Sequence, residues 1–273
     1  MSEDSKGLLT FGGHLEVLRR MLFRILIVVG IISIVIFCLK DTTWYILLAP
    51  SEWDFYTYSI IEKLMHSIGV NDFHFNEYHV DLIATDLSSQ FMTHLTTAIY
   101  LGLLCGSPYI LYDLFKFVSP ALYENEKKYS VYMLLVIYCL FIIGVLMSYY
   151  VLFPISFRFL GTYSVAEKIH STITLDSYIS TFTTLTLMMG VVFQLPIIAF
   201  VLSKMGIIQS SFLAKYRKQA LIIILLISAI ITPPDLMTLI LVAIPLYLLY
   251  EISIRISQFN ERKNITKNNS VNV

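Results

Sequence analysis

The chain has 273 residues, 57% hydrophobic and only 14% charged, with nineteen side chains of each sign and a formal net charge of zero. A soluble domain carries about 25% charged residues, so this composition, with a mean hydropathy of +0.74, excludes a disordered chain, a fibrous repeat and a soluble enzyme. With no net basic field there is nothing to attract nucleic acid.

Crossing a bilayer core takes about 20 apolar residues in a helix, and the apolar runs follow in order. The first is 21–39, interrupted only by Arg24. Next come 91–115, which holds Ser107 and Pro108, then 130–153 and 178–202. The last is 220–254, with Thr232, Pro233, Pro234 and Asp235 in its middle. No charged residue is read at depth in these spans. No cleavable signal peptide is expected, because the start is polar and no small-residue cleavage site follows the first run. Cys38, Cys105 and Cys139 each lie in an apolar run and are read as buried free thiols.

Charge placement decides whether the last stretch crosses once or twice. Fifteen of the nineteen basic residues fall in the N-terminal segment, the connections 116–128 and 204–218, and the C-terminal tail. Only Lys40, Lys63, Arg158 and Lys168 fall elsewhere. Lysine and arginine mark cytoplasmic loops, and the bias alternates only if the last stretch is a hairpin. The sequence therefore predicts an all-α, polytopic membrane protein, one integral membrane domain over 1–273. Six transmembrane helices are expected at about 21–39, 91–115, 130–153, 178–202, 220–232 and 236–254, with both termini cytoplasmic. Helices five and six are expected to be short: 220–232 spans about 20 Å at about 1.5 Å per residue, against a hydrocarbon core of about 30 Å. Membrane lipid must adapt around them.

The outward loop, 41–89, is acidic. Within it Ile60, Ile61, Leu64, Met65 and Ile68 recur with the spacing of one amphipathic helix face, lying on the membrane or on the bundle. His66, His74 and His79 are read as solvated loop histidines, with no metal site. No phosphate-binding loop, zinc-protease helix or nucleophile elbow is present, so no cofactor and no enzymatic activity are expected.

Polar residues inside or beside the spans remain to be explained. Gln194, amid a charge-free run and followed by Pro196, is either internal glue between helices or a docking point for a partner's helix. The Thr181, Thr183, Thr184 and Thr186 cluster reads as helix packing. Asp235 in the Pro-Pro-Asp turn N-caps helix six. Glu251 opposes the dipole at the end of that helix and should pair with Arg255. An alternative function at this stage is a secondary transporter with a midplane site near Gln194; the absence of an inverted repeat weighs against it. An intramembrane hydrolase would need a nucleophile and base at depth, and none is seen.

Eight stretches carry a resemblance. These are His14 to Arg19; Leu48, Ala49 and Pro50; Ile83 to Asp86; Ser107 to Tyr112; Phe117 to Lys128; Phe193 to Pro196; Thr232 to Asp235; and Ala243 to Ile252. In this order they make the chain similar to the TatC family of twin-arginine translocase subunits. The resemblance implies six helices with both ends inside and a place in the bacterial cytoplasmic (inner) membrane. It implies binding of signal peptides with paired arginines and transport of folded proteins driven by the proton gradient. TatA- and TatB-type single-span partners, and a homo-oligomer within a larger complex, are implied as well. The signal-binding residues it suggests are Glu126 first, then Glu16, Glu124, Arg19 and Phe117. Gln194, Pro50 and Asp235 fall to partner-helix contact or structure. Two departures stand out. Val17, not glutamate, directly precedes Leu18 and Arg19, with Glu16 one residue earlier, about 100° round the helix. Gln194 is neutral where many members carry glutamate, so no proton-coupled role is expected there.

Overall fold

The computed structural model describes residues 11–69, 82–118, 127–163, 172–205 and 207–271. The described residues are all-α except for one two-residue parallel pair. The helices are α1 (Phe11–Cys38), α2 (Lys40–Leu48), α3 (Tyr56–Ser67), α4 (Ser89–Val118), α5 (Lys127–Met147), α6 (Phe153–Thr162), α7 (Leu175–Val192), α8 (Leu195–Lys204), α9 (Ser210–Lys215), α10 (Arg217–Ile231) and α11 (Leu236–Val271). Strands β1 (Leu82–Ile83) and β2 (Ile173–Thr174) pair Leu82 with Ile173 and Ile83 with Thr174, tying together the segments that lead into α4 and α7.

Among the described residues, five stretches are long and apolar enough to cross a membrane: Leu15–Cys38, Ser89–Phe117, Tyr132–Thr162, Leu175–Ser203 and Leu236–Phe259. In lipid a helix is favoured because it satisfies every backbone group within the segment. The run that includes α10 is the short one, with 15 residues, about 22 Å long. Helix six departs from its expected bounds. Its apolar part alone runs 24 residues, so it is not short, and the helix continues to Val271. The extension is held by polar contacts. Glu261 accepts from the Ser210 N–H and the Ser210 hydroxyl, both at 2.5 Å. The Ser257 hydroxyl bonds Ser203 at 2.9 Å. Loss of apolar character after Ile254 therefore marks a change of neighbour, from lipid to the start of α9, rather than a helix end.

The third span is helical throughout but changes pitch. Ser148–Leu152 forms a π turn between α5 and α6, just before Pro154. Proline has no N–H, so the carbonyl four residues earlier loses its helical donor; that carbonyl, of Tyr150, accepts from the Thr57 hydroxyl instead. The fourth span breaks at Phe193 and Gln194, before Pro196.

The core gathers Leu152, Phe153, Leu185, Met189, Val242 and Leu246, none more than 1% exposed. Helix α5 lies against α7 closely enough that a Cβ on Gly144 would sit 2.5 Å from the Met189 carbonyl oxygen; only glycine allows this approach. Thr183 is buried and bonds its own helix, and Thr186 meets Ser148 at 3.3 Å, so the threonine cluster is packing. The three cysteines are free, as expected, but exposed rather than buried. They sit on outward faces of spans, where apolar character serves contact with lipid.

The amphipathic helix of the outward segment is α3, closed by Gly69 at φ +93°. Tyr58 buries at its first turn, while Ile60, Leu64 and Ile68 are 39%, 54% and 72% exposed. Ile61 and Met65 of the same stripe are half-buried, so one edge of it is left uncovered by the bundle. Burial pushes the Tyr58 phenol well above its ordinary pKa, partly opposed by the Arg158 guanidinium stacked 5.2 Å over its ring.

Candidate functional site

One end of the bundle brings together the first turns of α1 and the last turns of α4. Glu16 is exposed there and accepts from Arg20 Nε at 3.0 Å, one turn along the helix. Exposed pairs of this kind contribute only about 0.3–0.5 kcal/mol. The Arg19 guanidinium lies 5.7 Å over the Phe23 ring. An open concavity of about 720 Å³ is lined by Glu16, Val17, Arg19, Arg20, Phe23 and Arg24. Glu16 and Val17 both face it, so the one-residue shift noted in the sequence still leaves a carboxylate on this face. Phe117, in the last turn of α4, is 37% exposed at the same end. Glu124 and Glu126 lie outside the described residues.

A residue missed in the sequence stands just below. Asp113 is inside the second span yet 4% exposed; the expectation of no charge at depth is corrected. Its Oδ2 lacks a hydrogen-bond partner and lies 4.0 Å from Arg24 Nε. A carboxylate buried beside lipid needs a counter-charge, because desolvating an ion costs several kcal/mol. Two isolated charges in two apolar runs, each within two or three turns of the same end, were the available signal.

The remaining candidates have structural partners. The Gln194 amide donates to the carbonyls of Ile137 at 3.2 Å and Gly190 at 3.4 Å, bridging α5 and the break between α7 and α8. That commits within the chain the donor a midplane transport site would need. Pro50 is buried, and its carbonyl accepts from Tyr58 at 2.7 Å. The neighbouring Leu48 and Ala49 belong to the same device. The last carbonyls of a helix have no intrahelical donor, and here three of them take side-chain donors. Tyr149 donates to Ile46 O at 2.8 Å, Tyr178 to Leu47 O at 2.8 Å, and Ser51 to Leu48 O at 2.7 Å. Asp235 caps α11 through the Thr238 N–H at 2.7 Å. Glu251 is paired with Arg217 Nε at 2.8 Å, not with Arg255 as expected; the start of α10 presents a cation closer than the next turn of its own helix does. Of the loop histidines, His66 lies 3.9 Å from Glu62, and His74 and His79 are outside the described residues. No group of three metal-binding side chains occurs among the described residues.

Comparison with known proteins identifies the family. The family described as Sec-independent protein translocase protein (TatC) matches residues 13–245. A TatC protein of Blattabacterium is 33% identical over 264 residues, covering 96% of this chain and 99% of that one. TatCy of Bacillus subtilis is 40% identical over 182 residues, covering 67% and 72%. A crystal structure titled as the twin arginine translocase receptor TatC superposes with a TM-score of 0.74 at 31% identity, covering 91% of this chain and 99% of that one. The family is a protein-translocase component rather than an enzyme family, and this chain belongs to it: it is a member of the TatC family of Sec-independent protein translocases.

Proposed function

We propose that the chain is the receptor and core subunit of a twin-arginine translocase in the bacterial cytoplasmic (inner) membrane. It crosses six times with both termini in the cytoplasm. It binds the paired arginines of a cargo signal peptide. With TatA- and TatB-type single-span partners, in a complex holding more than one copy, it moves folded proteins using the proton gradient.

The observation that supports this most is the carboxylate of Glu16 on an open concavity at the end of α1, held among the described residues by one exposed contact, with Arg20. A guanidinium pair seeks carboxylates with which it can form two parallel hydrogen bonds. Exchange of Arg20 for an incoming arginine costs little, because the resident contact is exposed and weak. Phe117 offers an apolar shelf beside it. The segment that follows Phe117 in sequence carries Glu124 and Glu126, and Glu126 is the principal acceptor in this reading. Arg19, Lys127 and Lys128 would repel the signal unless acid is presented locally.

The test is crosslinking of a paired-arginine signal peptide to variants in membranes, with insertion measured alongside. Glu126→Lys should abolish crosslinking while insertion stays normal. Glu126→Gln should weaken binding by roughly 1–3 kcal/mol, the scale of a charged hydrogen bond. Glu16→Gln should do less, and Val17→Glu should be tolerated or improve binding. Undiminished crosslinking to the Glu126→Lys protein would sink the assignment.

A further inference from the structure

At the opposite end of α1 from the concavity lies a second pocket, of about 400 Å³, lined by Lys40, Trp44, Leu48, Gln90, Phe91, His94 and Leu175. Its position is set by the spans. The first ends at Cys38, the second begins at Ser89 and the fourth begins at Leu175. The lining residues therefore come from the points where three spans leave the apolar layer, at the depth of lipid headgroups. Trp44, one of two tryptophans in the chain, sits where tryptophan is enriched, with an apolar body and a polar edge.

The polar groups in this pocket converge without being used. His94 stacks on Phe37 with ring centroids 4.3 Å apart and 12° between planes, and the Trp44 ring lies 6.2 Å away, tilted by 54°. The two aromatic rings fix the imidazole, yet its Nε2 is buried with no hydrogen-bond partner. A buried polar atom left unpaired costs about 1–3 kcal/mol, so a hydrogen-bonding group entering the pocket would gain by meeting it. Gln90, one turn before His94, and Lys40 both line the pocket with exposed side chains, and neither has a hydrogen bond or ion pair among the described residues. No acidic residue is in the described lining; Asp41, next to Lys40, is exposed outside it. A pocket that offers an ammonium, an imidazole N–H and an amide, and no carboxylate, is complementary to an anion bearing several acceptor oxygens. Phe91 and Leu48 supply an apolar wall on the same pocket.

We propose that this pocket binds the phosphodiester headgroup of an anionic phospholipid, with Lys40, Gln90 and His94 donating to its oxygens and the acyl chains lying along the exposed start of α4. The lipid pins α2, α4 and α7 together at one membrane surface. The volume lies inside the range of about 300–1,000 Å³ typical of small-ligand sites, ample for a phosphoglycerol group. The proposal needs only a membrane-embedded chain and is independent of signal binding at the other end.

The experiment is native mass spectrometry of the full chain in detergent, titrated with phosphatidylglycerol or phosphatidylcholine. Phosphatidylglycerol should bind about fivefold more tightly or better, the effect of one basic residue near a lipid phosphate. Lys40→Gln with His94→Gln should bring the two lipids within about twofold of each other. Lys40→Gln alone changes an exposed side chain, so it keeps the test available if the double variant does not fold; it should lose most of the preference. Millimolar inorganic phosphate should not displace the lipid. Equal binding of the two lipids by the unaltered chain overturns the proposal, as does a preference that survives Lys40→Gln in a folded protein. Displacement by inorganic phosphate overturns the lipid assignment and makes the site one for free phosphate.

Discussion

Arg24 and Asp113 illustrate how one charge in a membrane helix dictates another. Asp113 is nearly inaccessible while Arg24 is half exposed, so the two are not equivalent to remove. Taking away Arg24 leaves a buried carboxylate with neither counter-charge nor hydrogen bond at Oδ2. Taking away both removes the desolvation cost along with the attraction. Arg24→Gln should therefore destabilise the protein by roughly 1–3 kcal/mol, and adding Asp113→Asn should restore most of it. Thermal unfolding in detergent of the two single variants and the double one checks this. A double variant no better than Arg24→Gln would mean the pair does not interact. Asp113 was visible in the sequence as an acid within run 91–115, but hydropathy averages over a window and so conceals one charge among many leucines. Glu16 was legible because it departs from a motif. Its partner Arg20 follows from helical spacing alone. Arg217, the partner of Glu251, was not legible, because it comes from another helix and no local rule reaches it.

At the scale of elements, the end of α2 shows what holds a short motif together. The carbonyls of Ile46, Leu47, Leu48 and Pro50 are taken by the side chains of Tyr149, Tyr178, Ser51 and Tyr58. Three of these donors lie at least eight residues away, so the motif of Leu48, Ala49 and Pro50 is readable in sequence while its purpose is not. The same limit explains the fourth span: Pro196 announces a break, but the amide that bridges it, Gln194 to Ile137, depends on packing against α5. Tyr58 is the testable member of the cap. Its hydroxyl reaches the carbonyls of Pro50 at 2.7 Å and Pro154 at 3.2 Å, linking α3 to the start of α6. Tyr58→Phe should cost roughly 1–3 kcal/mol, since two buried acceptors lose a donor. Its raised pKa adds a pH signature. The folded state favours the neutral phenol, so the stabilisation is fully present below the unfolded value of about 10. It is lost as pH rises above that value toward the folded one. Melting curves between neutral pH and pH about 11 should fall less steeply for Tyr58→Phe than for the unaltered chain. Parallel slopes would show that Tyr58 does not titrate with unfolding.

For the whole molecule, the open question is how a bilayer meets helices of unequal length. The apolar part of α11 has 24 residues and α10 has 15. At about 1.5 Å per residue these are about 36 and 22 Å, against a core of about 30 Å. The two are joined by the four-residue turn 232–235, so they reach one surface together. The excess of α11 is therefore at its other end, where the polar stretch packs on α8 and α9. Lipid beside α10 has about 8 Å too little helix to cover, and thinning costs fractions of a kcal/mol per Å of mismatch. Adding about four leucines on each side of the turn would bring α10 to about 28 Å. It would keep the Arg217–Glu251 pair, which lies at the far end. The lengthened protein should insert and stay folded, and the bilayer beside it should recover its thickness. If thinning serves the passage of folded cargo, transport by membranes carrying this variant should fall well below that of the unaltered chain while signal crosslinking is unchanged. Equal transport by the two would remove bilayer thinning from the mechanism and leave the short helix as a packing solution only.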